Sequence, residues 1–199
     1  MKIVLASNNL GKLAELRALF APLGFELVAQ GDLGIPEAAE PFHTFVENAL
    51  AKARHAAAHS GLPAVADDAG LCVDAFGGLP GVDTAHYAMQ FGYAKGDDNN
   101  VLALLEQMQG VENRRAALVS TLVAVRSPQD PEPLIAVGRV VGEITREPLG
   151  SQGFGFDPVM YIPEFGQTFA QLPADVKNAH SHRGRAAKAM VALMRERWV

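Results

Sequence analysis

Asp67 and Asp68 stand side by side in Pro63-Ala64-Val65-Ala66-Asp67-Asp68-Ala69-Gly70-Leu71-Cys72-Val73, at the end of an apolar run. Adjacent carboxylates in such a place are costly unless a cation, a metal or hydrogen bonds compensate them. The residues leave two readings open: a turn that opens with Asp and is set by Gly70, or a metal site. Glu40 lies in a polar loop and could supply a further metal oxygen. Carboxylates as hard oxygen donors select Mg²⁺, which normally bridges substrate phosphates.

Other segments carry complementary chemistry. Ser7-Asn8-Asn9-Leu10-Gly11-Lys12 follows a strand-like run and opens a helix. A helix N-terminus offers unpaired N–H groups and partial positive charge, and Lys12 adds a full charge, so this loop could cradle phosphate. It lacks the P-loop pattern. An ordinary capped helix with an exposed lysine is the plainer alternative. Lys177, His182, Arg183 and Arg185 fall within nine residues, with His182 and Arg183 in the first turn of a helix capped by Ser181. Cations there oppose the helix dipole, which points to an anionic or carbonyl-bearing partner or, alternatively, to a solvated basic face.

Gly153-Phe154-Gly155-Phe156-Asp157-Pro158 interleaves glycine with aromatics. Phe154 and Phe156 could stack on a flat base, worth on the order of 1–3 kcal/mol per base, with Asp157 accepting its hydrogen bonds. Both rings could equally be core. Gly77-Gly78-Leu79-Pro80-Gly81 defines a tight loop that could let backbone approach a ligand or merely turn the chain, and the structural turn is the favoured reading. Cys72, flanked by Leu71 and Val73, reads as core, and His43, His55 and His59 as surface residues. No His-Glu-x-x-His pattern supports zinc and no Gly-x-Ser-x-Gly elbow supports a serine hydrolase. An acidic pair, lysine-bearing loops and an aromatic–glycine loop are together satisfied by a nucleoside triphosphate with Mg²⁺.

The elements that must position these residues alternate strand and helix. Strands are expected at 2–6, 25–29, 64–66 and 70–75. Helices are expected at 11–22, with Leu13, Leu16, Leu19, Phe20 and Leu23 on one face, and from the Thr44/Glu47 capping box to about Ser60. A further helix is expected at 97–109, with Val101, Leu102, Leu105 and Met108 inward. Long β-rich runs at 115–126 and 134–145 form an expected hairpin across a Pro-rich loop, and a last helix starts near Ser181. The pattern predicts an α/β chain with a mixed sheet.

Bulk properties narrow the class. The 199 residues suit one domain, or one domain with a small extra lobe, and 49% apolar residues suffice for a core. A net charge of −5 argues against a general nucleic-acid binder. One cysteine permits no intramolecular disulfide, and no signal peptide or 18-residue apolar span is evident. The expectation is a soluble cytoplasmic protein with no membrane partner.

In their order, these segments resemble the inosine/xanthosine triphosphate pyrophosphatase family of house-cleaning, non-canonical purine NTP hydrolases. The motifs are Ser7-Asn8-Asn9 to Lys12, Phe45-Val46-Glu47-Asn48-Ala49 to Lys52-Ala53, Ala66-Asp67-Asp68 to Gly70-Leu71, Leu79-Pro80-Gly81-Val82, Gly153 to Pro158, and Ser181-His182-Arg183-Gly184, spanning residues 3 to about 195. The resemblance implies an elongated single α/β domain over 1–199, with a central mixed sheet flanked by helices and a cleft between two lobes. It also implies a homodimer and Mg²⁺-dependent hydrolysis of (d)ITP or XTP to monophosphate and pyrophosphate.

By position, it makes Asp68 the proton acceptor and a Mg²⁺ ligand, with Glu40 as second acidic contributor and Asp67 in support. Ser7, Asn8, Asn9, Leu10, Gly11 and Lys12 would hold phosphates. Phe154, Gly155, Phe156, Asp157, Lys177, His182 and Arg183 would bind the nucleotide and its base. Ala69, also at a substrate-binding position, replaces the family's usual serine and lacks its hydroxyl. Thr84-Ala85-His86-Tyr87 stands where the family usually has Ser-Ala-Arg-Tyr, so His86 weakens any arginine role there. A nucleotide-binding module without catalysis and a pyrophosphatase for modified pyrimidines are the competing readings.

Overall fold

The computed structural model describes residues 1–198. Its seven strands are β1 (Lys2–Leu5), β2 (Glu26–Ala29), β3 (Ala64–Val73), β4 (Arg115–Val125), β5 (Leu134–Ile144), β6 (Met160–Ile162) and β7 (Gln167–Thr168). They form one mixed sheet in the order β2-β1-β3-β4-β5-β6-β7. β1 runs parallel to β2 and β3, whereas β6 is antiparallel to both β5 and β7. The helices are α1 (Leu10–Phe20), α2 (Phe45–Ser60), α3 (Asp97–Gln107), α4 (Ala174–His180) and α5 (His182–Arg197).

The chain divides into two compact units, and the division falls within β3, β4 and β5. The first unit comprises Met1–Asp68, Ser120–Gly138 and the chain from His182 onward. Alternation along β1 builds it: Ile3 and Leu5 pack with α1 and α5 residues such as Leu16, Phe20 and Met190, while Val4 and Ala6 pack with Ala49, Ala53 and Ala56 of α2. An alanine face lets α2 lie close to the strands. The Thr44 hydroxyl accepts the Glu47 N–H and donates to its carboxylate, so this helix start is as expected. Gly138 of β5 is required by close approach. A Cβ there would lie 1.9 Å from the His182 carbonyl and 2.5 Å from the Ala186 N–H, so the start of α5 rests on bare strand backbone.

The second unit, Ala69–Val119 with Arg139–Ser181, has its own core, in which Leu71, Leu104, Met108, Met160 and Phe169 are buried. Asn100 of α3 is buried, accepts the Ala88 N–H and donates to the Ala85 carbonyl, tying α3 to a 3₁₀ segment over Gly81–Phe91.

Several expectations change. The acidic pair interrupts no strand: β3 runs continuously through Asp67 and Asp68, and Gly70 keeps φ outside the left-handed region, so the turn reading is excluded. On α3, Leu102 is exposed and Leu104 buried, because the face is set by Val101, Leu104 and Met108. Ser181 ends α4, a helix not anticipated, and α5 starts at His182. β4 and β5 are sheet neighbours, as the hairpin required. Gly77, Gly78 and Gly81 all have positive φ in a turn that includes a cis Leu79–Pro80 bond, which is the structural reading of that segment.

Candidate functional site

In the first unit the site is built on β3. Asp67 is buried and its carboxylate is fully engaged: Oδ1 accepts the Ser120 hydroxyl at 2.6 Å, and Oδ2 accepts Arg183 Nε at 3.0 Å and faces Lys12 Nζ at 3.1 Å. Burial pushes the Asp67 carboxyl up, but Lys12, Arg183 and Ser120 outweigh it and hold the group far below the usual carboxylate range. Arg183, in the first turn of α5, also donates to Glu15 of α1. One guanidinium thus binds the β3 carboxylate and a helix that begins at the polar loop.

Asp68, the next residue on β3, has a different environment. Its Oδ1 accepts from Lys52 Nζ of α2 at 3.1 Å, while Oδ2 is buried with no hydrogen-bond partner. Lys52 also donates to Glu40 at 2.8 Å, so one ammonium stands between two carboxylates. Burial is the main cause that raises the Asp68 pKa. Lys52 and Lys12 oppose it, and Glu40 adds to it. Burial lowers the Lys52 pKa, but Asp68 and Glu40 prevail and raise it. Desolvation lowers that of Lys12. Neighbouring aspartates are therefore pushed apart: Asp67 is locked as an anion, and Asp68 is the better proton acceptor.

The loop between β1 and α1 is mostly self-capping. Ser7 Oγ accepts the Asn9 N–H and Asn9 Oδ1 accepts the Lys12 N–H, while Asn8 donates to Glu37. Leu10 is 81% exposed at the helix start. Asn9 and Ser7 thus perform the ordinary capping role, and Lys12 alone in this loop reaches the acidic pair.

The second unit carries the aromatic–glycine loop. Phe156 is buried in the core, and Phe154 is half-buried. The Phe154 N–H donates to Asp157 Oδ2 at 2.9 Å, and the buried Lys177 ammonium donates to the same oxygen while standing 4.8 Å from the centre of the Phe154 ring. Gly153 is needed here: its φ is +77°, and a Cβ would fall 2.1 Å from Asp157 Oδ2. The Gly155 N–H donates to Asp97 Oδ2 at 2.8 Å.

The structure thus gathers Lys12, Asp67 and Arg183 around one oxygen, and Asp68, Lys52 and Glu40 around one ammonium. It also gathers Phe154, Asp157 and Lys177 in the second unit. His182 is buried beside Arg183 in the α5 first turn, and Ala69 is half-buried on β3. Reading individual residues missed Ser120, Glu15 and Asp97 and gave Lys52 no role. Ser120 had a signal, since a hydroxyl inside the apolar run 116–125 needs a buried partner. The other three contacts are long-range and leave none. Among the described residues, no group of three or more His, Cys, Asp or Glu side chains is placed to hold a metal, and no helix is long and apolar enough to cross a membrane.

Residues 3–193 match the model of the Ham1 family. A dITP/XTP pyrophosphatase of Albidiferax ferrireducens is 84% identical over 199 residues, covering both chains completely. One of Methylibium petroleiphilum is 57% identical, again over the full length of both. Among solved structures, a HAM1 protein from Coxiella burnetii superposes with a TM-score of 0.90 at 40% identity, over 98% of this chain and 99% of that one. A nucleoside-triphosphatase/dITP/XTP pyrophosphatase from Mycobacterium abscessus gives 0.73 at 42% identity, over 96% and 98%.

Proposed function

This chain belongs to the Ham1 family, and on that premise we propose that it hydrolyses dITP, ITP and XTP to the nucleoside monophosphate and pyrophosphate with Mg²⁺. The observation that carries the catalytic assignment is Asp68: a buried carboxylate with one oxygen unpartnered and its pKa raised, beside Lys52 and Glu40. A buried acceptor left without a partner costs about 1–3 kcal/mol, and substrate water or a cation would relieve it.

The residues fit Mg²⁺. Asp68 and Glu40 are hard oxygen donors, and a pair of carboxylates is the usual protein share of a site that substrate phosphates complete. Bound there, the ion would neutralise phosphate charge. Asp68 takes the proton of the attacking water. Asp67, pinned by Arg183 and Ser120, fixes the strand that presents Asp68 and holds Lys12. Lys12, with the N–H groups of Leu10 and Gly11 at the α1 start, binds phosphate beside Ser7, Asn8 and Asn9.

In the second unit, Phe154, Gly155, Asp157 and Lys177 are the nucleotide-binding residues, with Phe154 as the stacking surface and Phe156 anchoring the loop in the core. In the first unit, His182 and Arg183 at the α5 start serve the nucleotide. Donors that meet a purine 6-oxo group would be left unpaired by the 6-amino group of adenine, which disfavours ATP by roughly 1–3 kcal/mol. The enzyme acts in the cytoplasm as a homodimer.

The deciding experiment incubates the protein with ITP, XTP, GTP, ATP and methylated pyrimidine triphosphates, and measures pyrophosphate and orthophosphate separately. Pyrophosphate from ITP and XTP is expected. Orthophosphate, or equal rates on ATP, would sink the reading.

A further inference from the structure

We infer that Asp97 is a positioning residue for the loop that carries Phe154. This rests on the nucleotide pyrophosphatase reading above, and it extends the site to a residue that no base or phosphate contact requires.

The loop has little intrinsic preference for one shape. Gly153 and Gly155 flank Phe154 with φ of +77° and +61°, in a region glycine enters freely, and the stretch 150–156 belongs to no strand or helix. Its start is tied by the Ser151 and Gln152 N–H groups to the Ala170 carbonyl, whereas the N–H groups around Phe154 are held by side chains. Two successive N–H groups go to two carboxylates: Phe154 to Asp157, inside the loop, and Gly155 to Asp97, 58 residues away in sequence. A carboxylate accepting a backbone N–H is a charge-assisted bond.

Asp97 is also well mounted for this work. It is the first residue of α3, and three residues on, buried Asn100 ties that helix to the 3₁₀ segment through Ala88 and Ala85. Val101 and Leu104 fix its other side in the core. A loop tethered to such an element inherits its rigidity.

The plainer explanation is that an acidic residue in the first turn of α3 serves the helix dipole. Asp98 separates the two. It lies in the same turn and is exposed like Asp97, but Asp97 is the one that accepts the Gly155 N–H. A dipole role predicts similar effects at both positions; a positioning role predicts an effect at Asp97 only.

The test compares Asp97→Ala, Asp97→Asn and Asp98→Ala with the parent protein, using ITP as substrate and amide hydrogen exchange of the peptide spanning 153–157. Asp97→Ala should raise KM for ITP roughly three- to tenfold, as expected for one net hydrogen bond, with kcat changed less than about twofold. It should also speed exchange at Gly155. Asp97→Asn, whose amide oxygen can still accept, should recover most of the KM. Asp98→Ala should match the parent. Unchanged KM and exchange in Asp97→Ala, or an equal effect from Asp98→Ala, would overturn the inference, as would a fall in kcat with KM preserved. Parent protein that releases no pyrophosphate from ITP would instead refute the functional reading, while the exchange rates would still report whether Asp97 holds the loop.

Discussion

Lys52 meets Asp68 at 3.1 Å and leaves the second oxygen of that carboxylate buried and unpartnered. Next door, Asp67 has each of its oxygens engaged. Adjacent residues of one strand point to opposite faces, so two identical side chains receive unrelated surroundings. One becomes a fixed anion and the other a group with bonding capacity in reserve.

Asp68→Asn keeps the shape and removes the proton acceptor. Pyrophosphate release from ITP should fall by about 10²–10⁴, the usual contribution of a general base. Circular dichroism and melting temperature should stay near the parent's, because Lys52 retains Glu40. Retained turnover would take Asp68 out of the mechanism.

Glu40→Gln removes a charged donor and leaves Asp68 in place. The Mg²⁺ concentration giving half-maximal rate should rise by roughly tenfold, since affinity at such sites follows ligand charge. Chelation of the parent protein should abolish activity, and added Mg²⁺ should restore it. A Mg²⁺ titration of both proteins at saturating ITP checks this.

Asp67 predicts an acid-sensitive fold. Its folded pKa lies well below the unfolded value of about 3.9. The stability it contributes is therefore complete above about pH 5 and is lost progressively as the pH falls through 4 and below. Urea unfolding between pH 3 and 7 should show this slope. Asp67→Asn should flatten it and cost about 3–5 kcal/mol at neutral pH, because Arg183 and Lys12 lose a buried anion.

Phe154→Ala tests the stacking surface. Loss of one base–aromatic contact is worth on the order of 1–3 kcal/mol, so KM for ITP should rise at least fivefold, with a smaller effect on kcat. Since Phe156 is buried in the core, Phe156→Ala should instead lower the melting temperature. Steady-state kinetics and thermal unfolding of the two variants distinguish the roles.

Much of this was legible in the residues. Periodicity locates α1, and the Thr44/Glu47 pair marks the α2 start. The acidic pair signalled an unusual site because charge in an apolar run demands an explanation. What stayed hidden depended on distance through the fold. No local pattern shows that Arg183 lies against Asp67, 116 residues earlier, or that Ser120 completes the same carboxylate. The split of β3 into two strands was expected because an isolated sequence offers no partner for its charges; the folded chain supplies Lys12, Arg183 and Lys52, so the strand continues. Leu102 is expected inward but is exposed, and Leu104, outside the expected face, is buried, because helical phase over a short segment is settled by the core it meets.

Gly138 has a consequence for how this protein could fail. Because the His182 carbonyl and the Ala186 N–H occupy the space where a Cβ would be, the first turn of α5 is held at its height by a missing methyl group. Arg183 leaves from that same turn toward Asp67. An alanine at 138 would lift the turn from behind and loosen the charge pair in front. Such an allele would be inactive with every ligand-facing residue intact, and inspection of the site alone would never find the lesion.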